Sequence, residues 1–182
     1  MRRFAMVLLV MLAACAGPPA RPPAGRAPDP EVERQVGVYA AVIRELTTTG
    51  DSTFGEEPGF PVIYVVDHPE EAADDPTATS SAGGEPFSQE VRDGLRRELS
   101  DLPIEFVEDG DEVVLPVEPD GGGVEGEGVV VTVGPLPEGG AKLEVGASLY
   151  AGPLAATWLT YVVEEKAGGW EVTGTTGPVA IS

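Results

Sequence analysis

The sequence predicts an α+β domain, with two helices packed on a mainly antiparallel, curved sheet that ends in a C-terminal β-meander. Three observations lead there. Two stretches, 32–46 and 91–102, repeat apolar residues at steps of three and four, the period of a helix lying on a core. The last third alternates apolar and polar residues with a period of two between short glycine-rich turns, as consecutive antiparallel strands do. Cys15 is the single cysteine among 182 residues, so no intramolecular disulfide staples the fold and its stability must come from an apolar core.

The chain divides into a leader over 1–14, a tether over 15–29 and one folded unit over 30–182. Met1-Arg2-Arg3 is basic, Phe4 to Leu12 is unbroken apolar sequence, and Ala13 and Ala14 are small. This is the layout of a secretory signal peptide, and the run is short of the ~20 residues that span a bilayer as a helix. Leu12-Ala13-Ala14-Cys15 resembles the lipobox of bacterial lipoproteins. The resemblance implies a diacylglyceryl thioether on the Cys15 sulfur, cleavage before Cys15, acylation (palmitate) of its new amino group, and a protein anchored at the extracytoplasmic face of a cell membrane. Each buried CH₂ contributes about 0.8 kcal/mol, so two or three acyl chains hold stably where one does not. Pro18, Pro19, Pro22, Pro23 and Pro28 then favour an extended tether. At ~3.1 Å per residue it reaches up to roughly 45 Å.

Within the folded unit, Asp29-Pro30 suits a helix start. Val32, Val36, Tyr39, Ile43 and Leu46 form one apolar stripe, which ends at Thr47-Thr48-Thr49-Gly50. Val62 to Val66 is a short β-branched run without alternation, the pattern of a strand covered on both faces. Asp74 to Pro86 is a mobile polar loop. Ser88 caps a second helix that buries Val91, Leu95, Leu99 and Leu102, and Pro103 stops it. Strands follow at Ile104–Val107, Val113–Leu115 and Val129–Val133, with Asp120-Gly121-Gly122-Gly123 as a loop. In the meander, Leu143, Val145, Ala147 and Leu149 face one way, and Glu144, Gly146, Ser148 and Tyr150 the other. Thr157–Glu165 and the strand from Trp170 are joined by Lys166-Ala167-Gly168-Gly169.

The net charge is −20, and removing the leader takes away two arginines and no acid. Such a surface excludes nucleic acid as a partner, since phosphate recognition needs Lys/Arg patches. Three features stand out against it. Arg92, Arg96 and Arg97 concentrate positive charge on the second helix, as an interaction surface for an envelope protein or as partners of surrounding acids. Tyr150, Trp158, Tyr161 and Trp170 are large enough to fill the sheet's core or to line a cavity. The 105–127 segment is acidic throughout, which suits calcium, yet it lacks the spacing of an EF-hand, so no metal site is assigned. His68, the one histidine, reads as a solvated strand end.

The tail, from Tyr150 through Trp158-Leu159-Thr160-Tyr161-Val162-Val163-Glu164-Glu165 and Gly168-Gly169-Trp170-Glu171-Val172 to Ile181-Ser182, resembles a family of uncharacterised bacterial proteins. Their C-termini carry a Tyr-Cys-Gly-x-Leu-Cys segment, a strand ending in glutamate, a Gly-Trp hairpin and a terminal Ile-Ser. Ala151 and Ala155 stand where that family has cysteines, and the resemblance implies that a disulfide pair has been lost as a unit. The helix and meander order is also similar to the cone-shaped fold of the nuclear-transport-factor-two superfamily, which implies a curved antiparallel sheet. Neither resemblance carries an activity here.

No catalytic constellation is present. Cys15 is lipidated on the lipobox reading, Ser148 lies outside a Gly-x-Ser-x-Gly elbow, and Gly121-Gly122-Gly123 lacks the Lys-Ser/Thr of a phosphate loop. The expectation is a membrane-anchored lipoprotein without enzymatic activity and with no cofactor beyond the covalent lipid. It would act as a protein-interaction module of the cell envelope or, alternatively, as a small-ligand or calcium-binding protein.

Overall fold

The computed structural model describes residues 29–49, 59–77, 83–118 and 121–182. The leader, Cys15 and the tether up to residue 28 lie outside the described residues. Among the described residues two α-helices and eight strands follow in the order α1 (Pro30–Thr48), β1 (Ile63–Val66), α2 (Gln89–Glu98), β2 (Ile104–Val107), β3 (Val114–Glu118), β4 (Gly121–Val124), β5 (Val129–Val133), β6 (Lys142–Gly152), β7 (Ala155–Lys166) and β8 (Gly169–Ile181).

Both helix starts are capped as the sequence requires. The Asp29 carboxylate accepts the Glu31 amide at 2.9 Å, and Pro30 occupies the first turn, where a missing N–H costs nothing. The Ser88 hydroxyl accepts the Val91 amide at 3.2 Å. The buried face of α1 is wider than the expected stripe. Val38, Ala40 and Val42 are buried together with Tyr39, Ile43 and Leu46, because the sheet covers α1 on one side and α2 on another. Tyr39 packs its ring on Phe87 at 5.1 Å between centroids, and burial pushes its phenol above the ordinary tyrosine range.

The fold is α+β, and its main sheet has the order β2-β1-β5-β6-β7-β8. The four strands β5 to β8 form the expected antiparallel meander. The other half is parallel: β1 pairs with β2 on one side and with β5 on the other. This half departs from the antiparallel arrangement that the cone-shaped resemblance implies. It also explains the unbroken apolar run of β1. Ile63 and Val65 join the core beneath the helices, while Val66 faces a second, smaller cluster with Val113, Val124 and Val130 on the far side. On β6 and β7 the period-two pattern holds as expected, with Leu143, Val145, Ala147, Leu149, Leu159, Tyr161 and Val163 buried under α1.

One segment differs from expectation. Gly121–Gly123 is a strand, paired antiparallel with β3 over the far side of the sheet. A Cβ on Gly152, at the end of β6, would lie 3.2 Å from the Gly122 carbonyl oxygen, so the two backbones approach closely there. A strand of glycine carries no side-chain pattern, and only the neighbouring chain reveals it.

Leu95 is fully buried at the seam of α1, α2 and the sheet. Leu95→Ala is expected to lower the unfolding free energy by about 2–5 kcal/mol in urea denaturation. A loss below about 1 kcal/mol would show that this seam does not hold the helices.

Candidate functional site

A groove of about 470 Å³ runs between α1, α2 and the tip of the β7–β8 hairpin. Val32, Val36, Ala40 and Ala41 of α1 form its apolar floor. Two glycines inside the helices shape it. A Cβ at Gly37 would fall 2.6 Å from Trp170 Cδ1, so only a glycine lets the half-buried indole lie against the α1 backbone. A Cβ at Gly94 would fall 2.4 Å from Val36 Cγ2, and its absence allows α2 to close on α1. Trp170 arrives from β8, the outermost strand, whose hairpin tip is aligned by the pairing of Glu165 with Trp170 and of Lys166 with Gly169.

The charged rim consists of Glu33, Arg44, Arg97 and Glu98. The Arg44 guanidinium donates to both oxygens of Asp101, at 2.6 and 2.9 Å, and to the Glu98 carbonyl at 3.0 Å. This fork ties α1 to the segment after α2. The hydrogen bond from Arg44 holds the Asp101 carboxyl down at about 2, well below the ordinary carboxylate range, and raises the Arg44 guanidinium in turn.

The three arginines of α2 do not act as one patch. Arg92 donates to the buried Asp67 carboxylate at 3.0 Å. Arg96 pairs with Asp93 at 3.3 Å and lies over the Phe106 ring, 4.9 Å from its centroid. Arg97 alone borders the groove, where its Nε donates to the Asp93 carbonyl at 3.2 Å. Successive helical residues are turned by about 100°, so neighbours in sequence meet different partners.

The four large aromatics are also divided. Tyr161 is fully buried in the core, and Trp170 packs against the same core from the groove. Tyr150 packs with the small cluster on the far side, and Trp158 follows the alternation of β7 onto that side. They therefore do not line one cavity, because odd and even positions of a strand face opposite ways.

A second, polar crevice of about 450 Å³ lies at the C-terminal ends of β1, β2 and β5, bordered by His68, Glu70, Glu108, Asp109, Asp111 and Thr132. His68 is not the solvated residue expected. Its side chain is 19% exposed, with Nδ1 at 3.5 Å from Asp67 and Nε2 at 3.8 Å from Glu70. The acidic 105–127 run is split: Glu108, Asp109 and Asp111 reach this crevice, whereas Glu125 and Glu127 lie on a short turn before β5. Among the described residues, no group of three or more His, Cys, Asp or Glu side chains could hold a metal ion. No helix among them is long and apolar enough to cross a membrane, and Cys15, the lipidation candidate, lies outside them.

Gly37, Gly94 and Arg44 complete the groove and were not singled out by sequence. An isolated glycine inside a helical pattern signals close packing, and both Gly37 and Gly94 carry that signal. Comparison with family models, curated proteins and solved structures finds no match.

The Arg44–Asp101 fork makes a pH-dependent contribution with a definite sign. Because the folded carboxyl titrates below its unfolded value of ~3.9, the fork stabilises the fold above that value and is lost as pH falls toward about 2. Melting of wild type and Asp101→Asn should differ at pH 7, with wild type the more stable, and should converge as pH drops through that window. A difference independent of pH would contradict the assignment.

Proposed function

We propose that this protein is a membrane-tethered, extracytoplasmic interaction module of the cell envelope, and that the α1–α2–hairpin groove is its working surface. The observation that carries this reading is the convergence of Arg97 and Trp170, far apart in sequence, on one open apolar trough. Arginine and tryptophan are the residue types that most often anchor protein interfaces, and an apolar floor with a charged rim is the usual anatomy of one. The lipobox resemblance at Leu12–Cys15 supports the anchor, and the proline-rich tether supports reach from the membrane. The test is in-cell crosslinking of the full-length protein with a photoreactive residue in place of Ala41. A single envelope adduct is expected, reduced in a Cys15→Ala form and absent when the photoreactive residue replaces Glu127 instead. No adduct, or the same adduct from both positions, would overturn the reading.

The polar crevice supports a second reading, as a site for a small cationic ligand. The specific observation is its place: it opens at the carboxyl ends of the adjacent parallel strands β1 and β5, where the chain leaves β1 toward β2 on one side and leaves β5 toward β6 on the other. Ligand crevices of open sheets form at such switch points. A ligand that binds only the native state raises the melting temperature. A small diamine should therefore raise it in the wild type and not in Asp109→Asn, and an unchanged melting temperature across a panel of diamines removes this reading.

A further inference from the structure

We infer that the groove receives a partner segment that presents a carboxylate between apolar side chains, with Arg97 as its counter-ion. The inference rests on the reading of the groove as an interaction surface and adds the chemistry of what enters it.

The protein has far more acids than bases, so each base has carboxylates to choose from. Arg34, Arg44, Arg92, Arg96, Lys142 and Lys166 each make an ion pair. Among the described residues Arg97 is the one base that makes none. Its obvious partner is Asp93, one helical turn earlier, but Asp93 forms its ion pair with Arg96 at 3.3 Å, and the same Oδ1 accepts from Gln89 at 2.8 Å. Only the Asp93 carbonyl holds Arg97, through Nε, which leaves its two terminal nitrogens for another acceptor. The Asp101 carboxylate on the same side is engaged by Arg44. Glu33 and Glu98 also line the trough, so an entering anion is favoured only next to Arg97, which fixes its register. An arginine with its fork free is suited to a carboxylate in two parallel hydrogen bonds.

The shape favours a chain segment over an enclosed small molecule. The trough follows α1 from Val32 to Arg44, about 18 Å at 1.5 Å per residue, and is open along its length. That length takes about three turns of a helix or about five extended residues. Its floor of valine and alanine, closed at one side by the Trp170 ring, offers burial to apolar side chains on both sides of the carboxylate.

The test is selection of a displayed library of random dodecapeptides on the full-length protein in detergent micelles. Enriched peptides are then measured against Arg97→Gln, Arg97→Lys and Ala41→Gln, the last filling the floor without changing charge. The expected winners combine an Asp or Glu with flanking apolar residues, bind Arg97→Gln about tenfold or more weakly, and recover in part with Arg97→Lys. Winners that lack an acid, or that bind Arg97→Gln as well as wild type while still losing affinity for Ala41→Gln, would overturn the charge assignment and leave the interaction reading standing. Displacement of the winners by decanoate would assign the trough to a small amphipathic anion and overturn the peptide. Failure to enrich any sequence sensitive to Ala41→Gln would remove both.

Discussion

The seating of α1 across the antiparallel strands is the contact on which the rest of the structure depends. One helix touches β5, β6, β7 and β8, and its buried residues from Val38 to Leu46, with Val91, Leu95 and Leu99 of α2 and its cap, supply the helical side of the main core. With a single cysteine, outside the described residues, the core has no covalent substitute. The same contact makes the groove. Because α1 and α2 lie side by side on one face, and β8 is the edge strand, the β7–β8 hairpin tip reaches past the sheet to the open flank of α1. Gly37 and Gly94 convert that proximity into contact, by removing the Cβ atoms that would hold Trp170 and Val36 away.

Electrostatics play a different part from packing. Exposed pairs such as Arg96–Asp93 are worth little individually, since solvent screens them. Their effect lies in which charges they consume. With Asp93 paired to Arg96 and Asp101 to Arg44, the groove keeps one cation that makes no ion pair of its own. At the C-terminal ends of the parallel strands, His68 and several acids line a separate crevice. The domain thus presents two clefts of contrasting chemistry on a surface that is otherwise strongly acidic.

Much of the fold was legible because its signals are local. Asp29-Pro30 and Ser88 marked the helix starts, and the alternation from Leu143 to Tyr150 placed each side chain of β6 on its correct face. What stayed hidden depends on neighbours. The apolar run of β1 announces burial on both faces but not that β2 and β5 flank it in parallel. Gly121–Gly123 looks like a turn until β3 is seen beside it. For the site, Arg97 and Trp170 were each visible as unusual residues. Their meeting was not, because it is produced by the hairpin folding over Gly37, a tertiary event with no sequence period. The division of contacts among Arg92, Arg96 and Arg97 was hidden for the converse reason. Sequence adjacency hid that Asp67, Phe106 and the groove each claim a different one.

The most direct measurement of the central claim is hydroxyl-radical footprinting of the full-length protein in intact cells and after purification. The chain has two tryptophans, both half-buried, one on each side of the sheet: Trp170 in the groove and Trp158 away from it. An occupied groove predicts that Trp170 is protected in cells relative to Trp158, and that the protection disappears on purification. An oxidation ratio that stays the same in both settings would contradict the assignment of the groove as the working surface.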